Sequence, residues 1–148
     1  MKNFKNKYYL IIFMNYQVIY FSRKGNTKKI ADAIASELDN KSEEVKNAEL
    51  KNDTFIFLGS GCYGGKPGKK IQRFIENNDF NNRDIALFGT SGGGDGEETE
   101  VMEKMLKEKN ANIKGRYFCM GKFWFLNKNK PDEKDIDGAE KFVKKMRG

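Results

Sequence analysis

Six consecutive residues, Ser22, Arg23, Lys24, Gly25, Asn26 and Thr27, bring hydroxyls, a glycine and an amide together between two segments of different periodicity. Before them, Val18, Ile19, Tyr20 and Phe21 form a β-branched and aromatic run, which predicts a strand. After them, Ile30, Ala31, Ile34, Ala35 and Leu38 recur at helical spacing. A turn of this composition at a helix start aims several backbone N–H groups at one point, where the helix dipole favours negative charge. The chemistry on offer is capture of a phosphate group. Two later stretches share the character: residues 59–68 read G-S-G-C-Y-G-G-K-P-G and residues 89–96 read G-T-S-G-G-G-D-G. Glycine at such places permits positive φ and close approach of backbone to a ligand.

Other chemistries are excluded by composition. The chain has no histidine, which removes Ser-His and Cys-His catalysis and most transition-metal sites. Cys62 and Cys119 are far apart, with no C-x-x-C arrangement, so neither a disulfide framework nor a thiol redox motif follows. Chemistry must therefore come from a cofactor or from carboxylates, no catalytic side chain and no metal are expected, and the cytoplasm is the expected compartment. The net charge of +7 invites a nucleic-acid reading. Lys2, Lys5 and Lys7 sit in an acid-free terminal segment, however, and the other cations are dispersed among acids. With no zinc-ligand spacing and no helix-turn-helix or RNA-recognition signature, the lysines are read as solvated surface, without a nucleic-acid partner.

Tyr8 to Met14 are apolar but too few to span a membrane, and no small-residue cleavage site follows them. Residues 1–13 are read as an N-terminal extension not native to the fold, with Met14 as an alternative initiator, and residues 14–148 as one domain. A chain of 148 residues is long enough for a real core.

Along it, strand and helix signals alternate. Strands are expected over 16–21, weakly over 44–47, then over 54–58, 85–88 and 113–119. Helices are expected over 27–38, over 69–76 with Ile71, Phe74 and Ile75 inward, and over 97–109 with Val101, Met102, Met105 and Leu106 inward. A last helix over 132–146 buries Ile136, Ala139, Phe142, Val143 and Met146. This alternation means an α/β fold with a parallel sheet, in which ligands bind outside the carboxyl ends of the strands. All three glycine- and hydroxyl-rich stretches leave such ends.

Rival motifs fail on geometry. Gly59-x-Gly61-x-x-Gly64 formally matches a dinucleotide fingerprint but follows a later strand, and its next helix starts too far along. Gly65-Lys66 is followed by Pro67 rather than Ser or Thr, so it is no Walker loop. Ser22 and Gly59 stand where a response regulator needs carboxylates.

The order and spacing of the three stretches resemble the flavodoxin family, from about Met14 to Met146. Its phosphate loop usually reads T/S-x-T-G-N-T, and residues 22–27 follow it except that Lys24 replaces the middle threonine. The resemblance implies a three-layer α-β-α sandwich with a five-stranded parallel sheet in the order 2-1-3-4-5, and FMN as cofactor. It also implies that Ser22, Gly25, Asn26 and Thr27 bind the FMN phosphate, with Arg23 contributing backbone and Lys24 either a cation or a solvent-facing side chain. Ser60, Gly61, Cys62 and Tyr63 would lie along the isoalloxazine, with Tyr63 the stacking residue, while Gly64 and Gly65 would permit a peptide flip. Thr90, Ser91, Gly92, Gly93 and Gly94 would close the other side.

The departures from the family pattern carry information too. Flavodoxins are typically acidic and this chain is basic, so its redox partner should present a different surface. The third stretch lacks an aromatic residue, leaving one flavin face more open. Asp95 is read as a turn residue or helix N-cap in preference to a flavin contact. Phe123, Trp124, Phe125 and Leu126 need an explanation within a loop: either they fold back as a minor core, or they cover the flavin or meet a partner, with Trp124 the leading candidate. The resemblance implies an FMN electron carrier serving a larger redox enzyme. The alternatives are a small FMN-dependent reductase, fed by NAD(P)H or by a partner's electrons, and a flavodoxin-like scaffold without FMN.

Overall fold

The computed structural model describes residues 15–148, so the expected extension over 1–13 and the Met14 start lie outside the described residues. The elements run β1 (Asn15–Phe21), α1 (Asn26–Glu37), β2 (Ser42–Glu44), β3 (Thr54–Tyr63), β4 (Lys66–Pro67), α2 (Lys69–Asn77), β5 (Asp84–Ser91), α3 (Glu97–Glu108), β6 (Asn112–Met120) and α4 (Glu133–Arg147). Five strands pair in parallel in the order β2-β1-β3-β5-β6, and the two-residue β4 adds to β3 antiparallel. Without β4, that is the expected 2-1-3-4-5 order.

Helices cover both faces, which makes the three layers. On one face α1 and α4 pack Ile30, Ile34, Ala139, Phe142 and Val143 against Val18, Phe57 and Phe88. On the other, α2 and α3 pack Ile71, Ile75, Met102 and Leu106 against Ile19, Ile56, Leu58, Ile85 and Leu87. Residues 18–19, 56–58 and 85–88 are fully buried because successive side chains enter opposite covered faces. The apolar runs in the sequence have this two-sided burial as their cause.

Several boundaries differ from expectation, and one bears on function. β3 does not stop at Leu58 but continues to Tyr63, with Ser60 paired to Phe21 and Gly89 and Gly61 paired to Thr90. Residues 60–63 are therefore strand, not loop. The glycines there are occupied by neighbours: a Cβ on Gly59 would lie 2.1 Å from the Phe88 ring. The weak strand expected over 44–47 is Ser42–Glu44, and Val45–Asn47 form a 3-10 turn whose Val45 enters the core. Phe74, Met105 and Met146 are only partly buried at the core margins, whereas Glu98 and Thr99 of α3 are fully buried.

Candidate functional site

Four chain segments meet at the carboxyl ends of β1, β3, β5 and β6. The first is the 22–27 turn. Gly25 caps α1 at φ 94°, a left-handed conformation that glycine adopts without strain, and no side chain caps the helix. The Gly25 N–H donates to Ser22 Oγ at 3.0 Å, closing the turn. No acid occupies the first turn of α1, so its leading N–H groups and positive dipole end face outward without a protein anion. Below them Thr27 is buried, and its Oγ1 lies 2.7 Å from Thr90 Oγ1. That bond uses one of the two hydroxyl protons and leaves the other for a ligand oxygen.

The second segment is the end of β3. Ser60 is fully buried; its hydroxyl accepts from the Gly68 N–H at 2.9 Å and donates to the Gly61 carbonyl at 2.8 Å. It fastens the start of α2 to β3 and does not reach the cleft. Tyr63 is held rather than free. Its hydroxyl accepts from the Arg23 N–H at 3.1 Å, its ring meets the Phe21 ring at 5.7 Å, and the Arg23 guanidinium lies 5.2 Å from its centre. Gly64 and Gly65, at φ 63° and 79°, form the turn into β4.

In the third segment Ser91 Oγ accepts from the Gly94 N–H at 2.8 Å. Gly96, at φ 78°, is the N-cap of α3, so Asp95 is an exposed bend residue and not the cap. The missing cap has a steric and conformational reason: only glycine tolerates that φ with Phe118 ring atoms 2.6 Å from where a Cβ would stand.

The fourth segment settles the fate of the aromatic run. Phe123 and Leu126 exchange backbone hydrogen bonds at 3.0 and 2.8 Å in a tight hairpin whose side chains face solvent: Trp124 is 69% exposed and Phe125 71%. They form no minor core. The hairpin is tied down on both flanks, by Asn26 Nδ2 donating to the Lys122 carbonyl and Asn127 Nδ2 to the Gly92 carbonyl, each at 2.9 Å. Gly121 N–H adds a bond to the Ser91 carbonyl at 2.8 Å. Asn26 thus spends its amide on the hairpin.

Together these segments enclose a cleft of about 230 Å³. Among the expected residues, Ser22, Arg23, Lys24, Asn26, Thr27, Gly61, Cys62, Tyr63, Thr90, Ser91 and Gly92 line it. Gly25, Ser60, Gly64, Gly65, Gly93 and Gly94 are not among the lining residues. Lys122, Phe123 and Trp124 complete the lining. Of these, Lys122 is not a sequence-predicted site residue, because the asparagine ties that fold its segment inward come from residues remote in the chain. The volume is below the roughly 300–1,000 Å³ of ligand pockets, so the cleft does not enclose a drug-sized ligand whole.

The thiols offer no nucleophile. Burial pushes the Cys62 thiol up to about 11 and the buried Cys119 thiol up to about 12, so both stay protonated at neutral pH. Among the described residues no group of three His, Cys, Asp or Glu could hold a metal ion, and no helix is long and apolar enough to cross a membrane. An uncapped helix start above a buried hydroxyl pair fits a phosphate, and a cleft lined by Tyr63, Phe123 and Trp124 offers aromatic surface to a planar ring. The donor set therefore fits FMN.

The flavodoxin domain matches residues 17–127. The chain is 34% identical to the uncharacterized protein MJ0298 of Methanocaldococcus jannaschii, over 82% of this chain and 89% of that one. It is 27% identical to a flavodoxin of Clostridium beijerinckii, over 88% and 97% of the two chains. A solved flavodoxin from the domain Archaea superposes with a TM-score of 0.74 at 20% identity, covering 90% of this chain and 96% of that one, a likeness of fold. By this match and these relatives, the chain belongs to the flavodoxin family, which generally binds FMN and carries electrons.

Proposed function

We propose that this protein binds one FMN in the cleft and shuttles electrons to or from a larger redox enzyme that docks over the 123–126 hairpin. The observation that carries the reading is the meeting of the uncapped α1 start and the Thr27–Thr90 pair with a partly open cleft lined by Tyr63, Phe123 and Trp124. When bound, FMN supplies the store of electrons. The chain's part is to hold the phosphate at α1, orient the ring between Tyr63 and the hairpin, and leave its edge reachable. No side chain is assigned a catalytic role.

The hairpin and its surroundings support one class of partner. Trp124, Phe125 and Leu126 offer apolar contact, Lys24, Lys122 and Lys128 are exposed around them, and no acid occurs between Gly121 and Pro131. Opposite charge steers association, so the fitting partner is an acidic redox protein. No nucleic acid or membrane is part of this reading. The two free cysteines suit a reducing cytoplasm.

A second reading, a small FMN-dependent reductase, draws on the open ring slot beside an aromatic hairpin, which could seat a small substrate. Direct oxidation of NAD(P)H by the loaded protein would favour it over the carrier. The absorption spectrum of freshly purified protein tests the core of both: a yellow protein with FMN-type bands supports them, whereas colourless protein that ignores added FMN leaves only the cofactor-free scaffold.

A further inference from the structure

Glu98 is the only Asp, Glu, Lys or Arg among the described residues that is buried, at 0% exposure. Both of its carboxyl oxygens are enclosed; the donors beside them are the Cys62 thiol and Glu98's own N–H, neither of which makes a well-formed hydrogen bond to them. It stands in the first turn of α3, over the end of β5: a Cβ on Gly89 would lie 2.1 Å from Glu98 Oε1, so glycine there makes its room. On the β3 side it faces the Cys62 thiol, and Cys62 lines the cleft. One side chain therefore separates a buried carboxyl from the flavin slot.

The charged surroundings offer this carboxyl no cation. From β3 it meets only the Cys62 thiol, and β5 brings no titratable group to it. Asp95 and Glu97, on its own segment, are both acids that disfavour a second negative charge. Lys66 on β4 is exposed to solvent. Arg116 on β6 is taken up by Thr99 Oγ1 at 3.1 Å and by Glu100 and Glu103 at 3.8 and 3.9 Å. The start of α3 favours the ionised form, but an unpaired buried charge costs more than a helix end returns. Burial is the leading cause that raises the Glu98 carboxyl above the ordinary range.

We propose that Glu98 is a positioning residue that holds a proton behind the flavin slot, and that its protonation is linked to the charge of the flavin across Cys62. The inference rests on the FMN reading. Were FMN bound and reduced by a redox protein or by dithionite, its added negative charge would draw a proton from solvent onto the ionised fraction of Glu98. Carboxylate plus proton becomes carboxylic acid, and no other bond of the chain forms or breaks. Reduced flavin in turn meets a neutral neighbour and is spared a like-charge repulsion.

A linked stability effect has a definite sign. The folded chain holds this proton more tightly than the unfolded one. Glu98's own contribution to stability is therefore full below the ordinary glutamate range and is lost as pH rises through the folded midpoint. Glu98→Gln, a neutral isostere, removes that pH dependence.

The test is a carboxyl-carbon NMR titration of the 13C-labelled protein, apo, FMN-loaded, and reduced with dithionite, with Glu98→Gln identifying the signal. The expected apo midpoint lies above the usual value of about 4.3, and it rises by about one pH unit, a tenfold change, on reduction. The reduction potential falls with pH more steeply between the two midpoints in wild type than in Glu98→Gln. An apo midpoint in the ordinary range overturns the proton-holding role, and equal midpoints in oxidised and reduced protein overturn the linkage. Should Glu98→Gln not fold, the wild-type midpoints decide alone. Failure to bind FMN sinks the functional reading and the linkage together, while the apo titration still decides whether Glu98 keeps its proton.

Discussion

The two walls of the cleft are built on opposite plans. The β3 wall is packed into the molecule: Ser60 is buried with two hydrogen bonds, and Tyr63 is fixed by Phe21 below and by Arg23 at its hydroxyl and ring. The hairpin wall is tied only at its base, by Asn26, Asn127 and Gly121, and holds Trp124 and Phe125 out in solvent. The first wall draws its stability from the fold. The second offers apolar surface that the fold does not use, which is what a site open to ligand and partner requires. Between them lies the α1 start, whose donors are left over by the geometry of any helix end.

That contrast can be broken by substitution. The largest effect belongs to the floor between the walls. Thr27→Ala removes a hydroxyl that the FMN reading sets beside the phosphate, and a hydrogen bond to a charged group is worth about 1.5–3 kcal/mol. FMN affinity should fall about tenfold to a hundredfold while riboflavin affinity holds, measured by parallel calorimetric titrations. Equal losses would move Thr27 off the phosphate.

Ser60→Ala comes next and tests the packed wall. It leaves the buried Gly68 N–H unpaired, so urea unfolding should show a loss of about 1–3 kcal/mol. Asn26→Ala tests the tie between turn and hairpin, at a cost of about 1 kcal/mol. Because Trp124 is the only tryptophan, its fluorescence anisotropy reports the hairpin directly and should drop in that variant. An unchanged anisotropy would mean that the hairpin holds its shape without Asn26.

Trp124→Ala gives the smallest stability change, within about 0.5 kcal/mol, since the ring is mostly in solvent. It should nonetheless slow electron exchange with an acidic partner. A large loss of stability would show instead that Trp124 belongs to the fold.

The packed side of the molecule was largely legible in the sequence. Apolar runs at 18–21, 54–58 and 85–88 marked the central strands, because burial on both faces leaves no polar alternation to confuse the pattern. The 22–27 turn was legible because its requirements are local: a positive φ at Gly25 and a hydroxyl three residues earlier. The extension of β3 through Ser60 to Tyr63 was not, since glycine and serine there are kept in strand by pairing with β1 and β5. Propensity gave way to neighbours. The place of Asn26 was hidden for the same reason: its partner, the Lys122 carbonyl, is 96 residues away. Glu98 was concealed most completely. An acid in the first turn of a helix reads as an exposed complement to the dipole, and only the packing of α3 over Gly89 reveals it as buried.

The central claim is that the cleft holds FMN by its phosphate, with the ring between the two walls. Titration of cofactor-free protein with FMN and, separately, with riboflavin, followed through Trp124 emission, tests it most directly. The account predicts saturable quenching at one FMN per chain and much weaker binding of riboflavin. Emission that ignores FMN, or that responds equally to both ligands, would contradict it.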